Sequence, residues 1–426
     1  MSYNLTTLAN GARILTVPQP GALSVSVMAL VDAGPKNEDE KNSGISHFLE
    51  HMGFKGTTSR PKSIDLSSEF DAIGASFNAF TCHDSTAYYV TVIPDKIDKA
   101  VDLLSDLYLH PVYLAEEIRK ERGVIIEEIK LYEDKPTSFV WDVFAKLAYA
   151  GTPAGRLTLG ERSTVSALTR EDLVAYRAKH YLAGATTIIV IGNFSENKII
   201  KLVSEKFASL PAGAGRLVGE KIGNSVVMEN QTELRIELAK RSIEQSHLVL
   251  GFKSANLLDD KVYPLTILAG ILGGGMSSRL FQKVREELGA AYYIGANQIS
   301  HLDHGFLAIY AGVDAPRLNL AIGKIMVEIQ KIKTELIPNV ELTRVKDHLI
   351  GNLFLGLETP SDQTYFYGEQ ALFSQRFLTP LLLAEKLRAV TSEELKTLAN
   401  EIFQANHLNL AIVGPDCSLA EIKGII

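Results

Sequence analysis

Hydrophobic and polar positions in the first half of the chain alternate between strand-like and helix-like spacing. Residues 5–16 predict a hairpin around the Asn10-Gly11 turn, and residues 24–31 predict a further strand. The third predicted helix ends before Pro136. The helices predicted from the recurrence of apolar residues cover residues 63–73, 96–109 and 115–133. Strands combined with helices that can cover one sheet face indicate an α+β fold.

The same pattern occurs twice in the chain. A capped helix and the apolar strand after it, at residues 168–192, recur 222 residues later at residues 390–414. Strand-like segments that end at a proline, residues 88–94 and 310–316, are also 222 residues apart. The repeat predicts a duplication, with two homologous α/β sandwich domains.

The predicted boundary between the domains is a short stretch rich in alanine and glycine near the middle of the chain. We expect an N-terminal domain at residues 1–210, a linker at residues 211–224 and a C-terminal domain at residues 225–426.

The composition is that of an ordinary globular protein. Hydrophobic residues make up 46% and charged residues 22% of the 426 residues, which is enough chain for two to four domains. The formal net charge of −7 gives no basic surface, so we expect no nucleic-acid partner and no membrane partner. Two cysteines are too few for a disulfide framework, and we see no signal-like region or long apolar span, so we expect a cytoplasmic location.

The most informative motif is H-x-x-E-H, formed by His47, Glu50 and His51. On a helix, the two imidazoles lie one turn apart on one face, so both can bind one metal ion. Glu50 projects beside them and is a candidate general base for the hydrolysis of a peptide bond. The motif is the inverse of the commoner H-E-x-x-H and is typical of inverzincin peptidases.

The duplication separates a functional role of this motif from a structural one. Adding 222 to the three motif positions gives Ala269, Leu272 and Gly273, none of which binds metals. A second copy that keeps the helix without the ligands indicates that the ligands do not hold the fold together. We therefore interpret the motif as a functional site.

Two histidines leave a catalytic zinc site one protein ligand short. The helix predicted at residues 115–133 offers several carboxylates. Glu121 and Glu128 are seven residues apart and share a helical face that Glu127 does not. The spacing leaves both Glu127 and Glu128 open as the third ligand.

The segment from His47 to Thr57, together with Glu128, resembles the pitrilysin and mitochondrial processing peptidase family, in particular its short two-domain bacterial branch. The resemblance covers the whole chain and implies one Zn²⁺ per chain, held by His47, His51 and Glu128. It also implies that Glu121 orients a ligating histidine and that Glu127 is the second choice as ligand.

The same resemblance implies two substrate elements. Asn78, Ala79 and Phe80 belong to a segment similar to the family's edge strand beside the metal, which pairs with the peptide backbone. Arg285 and Tyr292, from the second half, resemble a pair that faces the metal and binds the scissile carbonyl.

From these features we predict a zinc metalloendopeptidase that cleaves short or unfolded peptides inside an enclosed chamber. The resemblance implies that the two domains close like a clamshell and that two copies form a homodimer. Two alternatives stay open: a non-catalytic assembly subunit, and one half of a heterodimeric processing peptidase.

Two other motifs are interpreted as ordinary structure. Cys82, His83 and Asp84 are adjacent on a predicted strand, so their side chains point to alternate faces and cannot line up as a catalytic triad. The segment from His301 to His304 lies between two predicted strands, and we expect a solvated loop.

Overall fold

Strands and helices alternate along the computed structural model, which describes residues 3–213, 231–372, 374 and 377–426. The strands are β1 (Asn4–Thr7), β2 (Arg13–Pro18), β3 (Val25–Val31), β4 (Ser76–Thr81), β5 (Thr86–Val92), β6 (Thr186–Gly192), β7 (Arg235–Lys240), β8 (Gln245–Lys253), β9 (Ala291–Ser300), β10 (Gly305–Asp314) and β11 (Leu408–Gly414). From residue 214 onward, the predicted linker 211–224 lies outside the described residues.

The helices confirm the three predicted from apolar spacing and add others. They are α1 (Ile45–Gly53), α2 (Ser63–Ala72), α3 (Ile97–Leu109), α4 (Ala115–Glu133), α5 (Pro136–Ala148), α6 (Arg162–Ala167), α7 (Arg170–His180), α8 (Glu196–Lys206), α9 (Val262–Gly273), α10 (Leu318–Thr334), α11 (Asn339–Leu355), α12 (Pro360–Ala371), α13 (Pro380–Ala389), α14 (Ser392–Ile402) and α15 (Leu419–Ile425). Within the described ranges, no helix combines the length and apolar character needed to cross a membrane.

The strands form two mixed sheets, one in each of two compact units. The first unit comprises Met1–Ile129, Arg156–Lys221 and Leu355–Thr379, and its sheet has the strand order β1-β2-β6-β3-β5-β4. The second unit comprises Lys130–Gly155, Ile222–Phe354 and Pro380–Ile426, and its sheet has the order β7-β11-β8-β10-β9. Mixed sheets with helices packed on them confirm the predicted α+β class.

The two sheets are built the same way, as the repeat predicted. The strands β2, β6 and the helix α7 have counterparts in β7, β11 and α14 at an offset of 222 residues. For β3 and β5 the offset is 221, because Val27 pairs with Val190 on the helix-covered face and Leu248 pairs with Ile412 on the same face of the second sheet. The strand marker near Pro94 is thus shifted by one residue relative to the prediction.

Each unit takes one helix from the other half of the sequence. The helix α5 packs on β7, β8 and β11 of the second sheet, while α12 packs on β3 and β6 of the first. The ring of Phe144 fits against Gly251, where an added Cβ would lie 2.4 Å from it, and Gly368 lies in the same way over Met28. The compact units therefore differ from the contiguous ranges 1–210 and 225–426 by this exchange.

We expect Phe144→Ala to destabilise the second sheet, although residue 144 belongs to the first half of the sequence. Phe144 is 1% exposed, and the loss of such a ring costs about 3–5 kcal/mol. Hydrogen exchange should become faster in β8 and β11, and less so in β3 and β6. The matched control is Phe354→Ala, because that ring is 41% exposed. Faster exchange confined to β3 and β6 would contradict the exchange of helices.

Candidate metal centre

The helix α1, which carries the predicted histidines, is anchored at its N-terminus by a buried carboxylate. Glu38 accepts hydrogen bonds from the backbone N–H groups of Gly44 at 2.7 Å and Ser46 at 2.9 Å. N–H groups in the first turn of a helix have no partner within the helix, so the carboxylate satisfies them. Gly44 has a φ of +91°, and a Cβ there would lie 2.7 Å from the carbonyl oxygen of Leu159, so this position requires glycine.

Both histidines of α1 face Glu128 of α4. Glu128 Oε2 lies 3.8 Å from His47 Nε2 and 3.6 Å from His51 Nε2. Tetrahedral zinc with bonds of about 2.0–2.2 Å holds its ligand atoms about 3.3–3.5 Å apart, so the three side chains fit this ion. The side chain of His47 is 9% exposed, whereas that of Glu128 is 29% exposed. One side of the group is therefore open, as a catalytic zinc site requires for its fourth position.

The structure distinguishes between the two glutamates that the spacing left open. Glu128 forms a potential metal-ligand group with the two histidines, whereas Glu127 is exposed on α4 and lies outside that group. Adjacent residues on a helix are rotated by about 100° about its axis, so only one of the two can face α1.

The outer partner of His51 is Glu121, two helical turns before Glu128 on α4. Glu121 Oε2 lies 3.0 Å from His51 Nδ1, and Glu121 Oε1 lies 2.6 Å from Lys55 Nζ. Burial alone would raise the pKa of Glu121, but the hydrogen bonds from His51 and Lys55 outweigh it and hold the pKa below its ordinary value. A carboxylate at Nδ1 fixes the ring tautomer that leaves the Nε2 lone pair for a metal ion.

The two histidines differ in their affinity for protons. Burial, together with the charge of His51, lowers the pKa of His47 to about 4. Burial also opposes the charged form of His51, but hydrogen bonds to Glu121 and Glu128 raise its pKa to about 9. Nδ1 of His47 is buried and has no hydrogen-bond partner among the described residues. The oriented histidine implied by the resemblance is therefore His51.

Glu50 lies beside the three candidate ligands without joining them. Its Oε2 accepts a hydrogen bond from the Thr81 hydroxyl at 2.6 Å. Burial raises the pKa of Glu50 above its ordinary value, and the hydrogen bond from Thr81 works against this rise. A carboxylate with a raised pKa, positioned next to candidate metal ligands, is suited to transfer protons.

The strand that contains Asn78, Ala79 and Phe80 is at the edge of the first sheet. In the described part of the sheet, β4 pairs with β5, and its other side carries no strand. Asn78 is exposed, and its Oδ1 accepts a hydrogen bond from the backbone N–H of Ala79 at 2.9 Å. Because Thr81 ends β4 and contacts Glu50, the open edge leads directly to the candidate metal ligands.

The predicted pair from the second half lies at the surface of the second unit. Arg285 is exposed in the π-helical turn Phe281–Glu287, and its guanidinium lies 4.6 Å from the centre of the Phe281 ring. Tyr292 is near the start of β9 and is 76% exposed. Both side chains are accessible, and their contact with a substrate stays a prediction.

The other two motifs have structural explanations, one of which differs from the prediction. Burial raises the pKa of the Cys82 thiol, so it is a poor nucleophile. The loop before β10 is not solvated, contrary to our expectation. His304 lies edge-on to the Tyr149 ring at 4.5 Å, and its Nδ1 lies 2.7 Å from Asp303 Oδ1. The side chain of Tyr149, which follows α5, buries this loop.

Sequence reasoning missed three supporting residues of the site: Glu38, Lys55 and Thr81. Lys55 follows His51 by four residues, and this helical spacing was a usable signal. Thr81 ends the predicted edge strand, but nothing in the sequence connects it with Glu50. Glu38 lies in an irregular segment whose path is set by tertiary contacts.

Family models match both halves of the chain. The model described as insulinase (Peptidase family M16) matches residues 13–162, and the model described as Peptidase M16 inactive domain matches residues 167–349. The second description agrees with the absence of metal ligands from the repeated helix position.

Similar proteins extend over nearly the whole chain. A protein of Rickettsia felis named an uncharacterized zinc protease is 34% identical over 97% of this chain and 98% of its own length. A Bacillus subtilis protein with the same description is 35% identical over 96% of this chain and 97% of its own. A protease from Helicobacter pylori has a similar fold, with a TM-score of 0.88 at 22% identity, over 97% of this chain and 99% of that one.

We expect Glu128→Gln and Glu127→Gln to separate the two adjacent glutamates. Loss of a direct ligand should weaken zinc binding by more than about 100-fold, beyond the effect of losing an outer partner. Glu127→Gln should bind zinc as the wild type does. Competition with a chromophoric chelator measures both affinities. The reverse order would assign the ligand to Glu127.

We expect Glu121→Gln to weaken zinc binding by about 10- to 100-fold, because His51 would lose the charged partner that orients its ring. The control is Glu117→Gln, one turn earlier on α4, where the carboxylate instead contacts Lys120 at 2.8 Å. Isothermal titration with zinc measures both variants. Equal affinities for the two would show that Glu121 does not support the site.

Proposed function

The chain belongs to peptidase family M16, the insulinase family, and on this premise we propose that it is a zinc-dependent endopeptidase that cleaves short or unfolded peptides. The observation that carries the proposal is the convergence of His47, His51 and Glu128, with Glu50 beside them. Relatives at 34% and 35% identity named as zinc proteases support the same class of reaction.

His47 and His51 would hold the ion through Nε2, and Glu128 through Oε2, because these are the atoms that face one another. A bound zinc ion polarises the substrate carbonyl and lowers the pKa of water. Glu121 and Lys55 keep the ring of His51 in its ligating orientation. We propose one such ion per chain.

Glu50 is the proposed general base. It accepts a proton from the attacking water and then delivers it to the nitrogen of the leaving amine. Its partial burial and its hydrogen bond from Thr81 hold the carboxylate in place for both transfers. A carboxylate whose pKa lies above the ordinary value can both accept and release a proton near neutral pH.

The open edge of β4 supports a preference for extended substrates. A peptide can add to this edge through its backbone, with Asn78, Ala79 and Phe80 as the pairing residues. Only a chain segment free of its own secondary structure has unpaired N–H and C=O groups to offer. Folded proteins should therefore resist cleavage, which agrees with the proposed enclosed chamber.

We further propose that Arg285 and Tyr292 bind the scissile carbonyl and the adjacent backbone, since both are exposed donors on the second unit. The homodimer implied by the family resemblance remains part of this proposal. A non-catalytic assembly role is less well supported, because the chain retains every candidate ligand together with Glu50.

We expect Glu50→Gln to abolish cleavage while zinc stays bound. Loss of a general base typically slows a reaction by about 10²- to 10⁴-fold, and the three ligand side chains are unchanged. The assay is cleavage of a quenched unstructured peptide, with chelator and with zinc added back, beside Glu127→Gln as the matched control. Wild-type turnover by zinc-loaded Glu50→Gln would disprove the assignment, and a zinc-loaded wild type that cleaves no unstructured peptide would count against the proposed function.

A further inference from the structure

The last residue of the edge strand, Thr81, contacts the proposed general base. We infer that Thr81 is a positioning residue, which orients the Glu50 carboxylate for proton transfer and links this orientation to the strand on which the substrate pairs. The inference rests on the proposed peptidase function, because it assigns Thr81 a part in that reaction.

The direction of the hydrogen bonds at Thr81 follows from counting protons. The Thr86 hydroxyl donates its proton to the carbonyl oxygen of Ala33 at 2.9 Å. The Thr81 hydroxyl lies 3.4 Å from Thr86 Oγ1 but only 2.6 Å from Glu50 Oε2. A hydroxyl has one proton to donate, so that of Thr81 is committed to Glu50. A bond of this length to a carboxylate is among the stronger hydrogen bonds in proteins.

The backbone holds the Thr81 hydroxyl in one place. Thr81 pairs with Thr86 in the last step of the β4–β5 ladder, and the turn beyond it is closed by the N–H of Cys82, which donates to the carbonyl oxygen of Ser85 at 2.9 Å. A β-branched side chain on a strand has restricted rotation about its first side-chain bond. The hydroxyl is therefore a fixed donor, not one that adapts to Glu50.

A fixed donor at Oε2 leaves Oε1 of Glu50 to accept the proton of the attacking water. Without this donor, the carboxylate could rotate toward its charged neighbours. The same strand offers its open edge to the peptide backbone. Substrate pairing along β4 thus ends at the residue that aligns the base, so that peptide binding and base alignment depend on one strand.

Two substitutions at residue 81 separate positioning from folding. Thr81→Val keeps the shape and removes the hydroxyl, while Thr81→Ser keeps the hydroxyl. The matched control is Thr91→Val in β5, where the hydroxyl donates to Ser26 Oγ at 3.0 Å on the same sheet. With zinc-loaded protein and an unstructured peptide, kcat of Thr81→Val should fall by about 10- to 100-fold, as expected for loss of a hydrogen bond to a charged group.

The expected pattern is specific to kcat. KM and zinc affinity of Thr81→Val should stay within about twofold of the wild type, Thr81→Ser should recover most of kcat, and Thr91→Val should match the wild type. A wild-type kcat in Thr81→Val, an equal loss in Thr81→Ser, or a matching loss of zinc affinity would overturn the inference.

A crystal structure of metal-free Thr81→Val tests the inference without activity. We expect the Glu50 carboxylate to leave the position it has in the wild type. An unmoved carboxylate would contradict a positioning role, whatever the assay shows. A wild type that binds zinc and cleaves nothing would instead count against the proposed function, and the two failures are therefore distinguishable.

Discussion

The contact between α1 and α4 is the interaction on which the rest of the site depends. The carboxylate of Glu121 joins the two helices by binding both His51 Nδ1 and Lys55 Nζ. Seven residues later, nearly two full turns along α4, Glu128 meets the Nε2 atoms of both histidines. One pair of packed helices thus sets the ring orientation, the third ligand and the spacing among the three donor atoms.

The second unit shows what the same fold is like without this chemistry. At the position of α1 it has α9, and residues 268–273, the counterparts of the motif at an offset of either 221 or 222, carry no metal-binding side chain. These residues pack in the core of the second unit or close to it. The fold is therefore stable with apolar residues at this place, and the first unit buries histidines and carboxylates there for function at a cost in desolvation.

Local pattern predicted much of this structure. Apolar spacing identified the helices of the first half, the repeat identified the duplication, and the H-x-x-E-H spacing identified His47, Glu50 and His51. What local pattern left undecided depends on packing. The choice of Glu128 over Glu127 is set by the rotation of α4 relative to α1, and the hydrogen bond from Thr81 to Glu50 joins a strand to a helix. The exchange of α5 was missed because a helix pattern does not reveal which sheet the helix will cover.

The central claim is that His47, His51 and Glu128 together form one zinc site. The most direct measurement is an anomalous difference map, recorded at the zinc absorption edge from crystals grown with one equivalent of zinc. The predicted result is a single strong peak within about 2.0–2.2 Å of His47 Nε2, His51 Nε2 and Glu128 Oε2. A zinc peak elsewhere, or no peak among these three atoms, would contradict the claim.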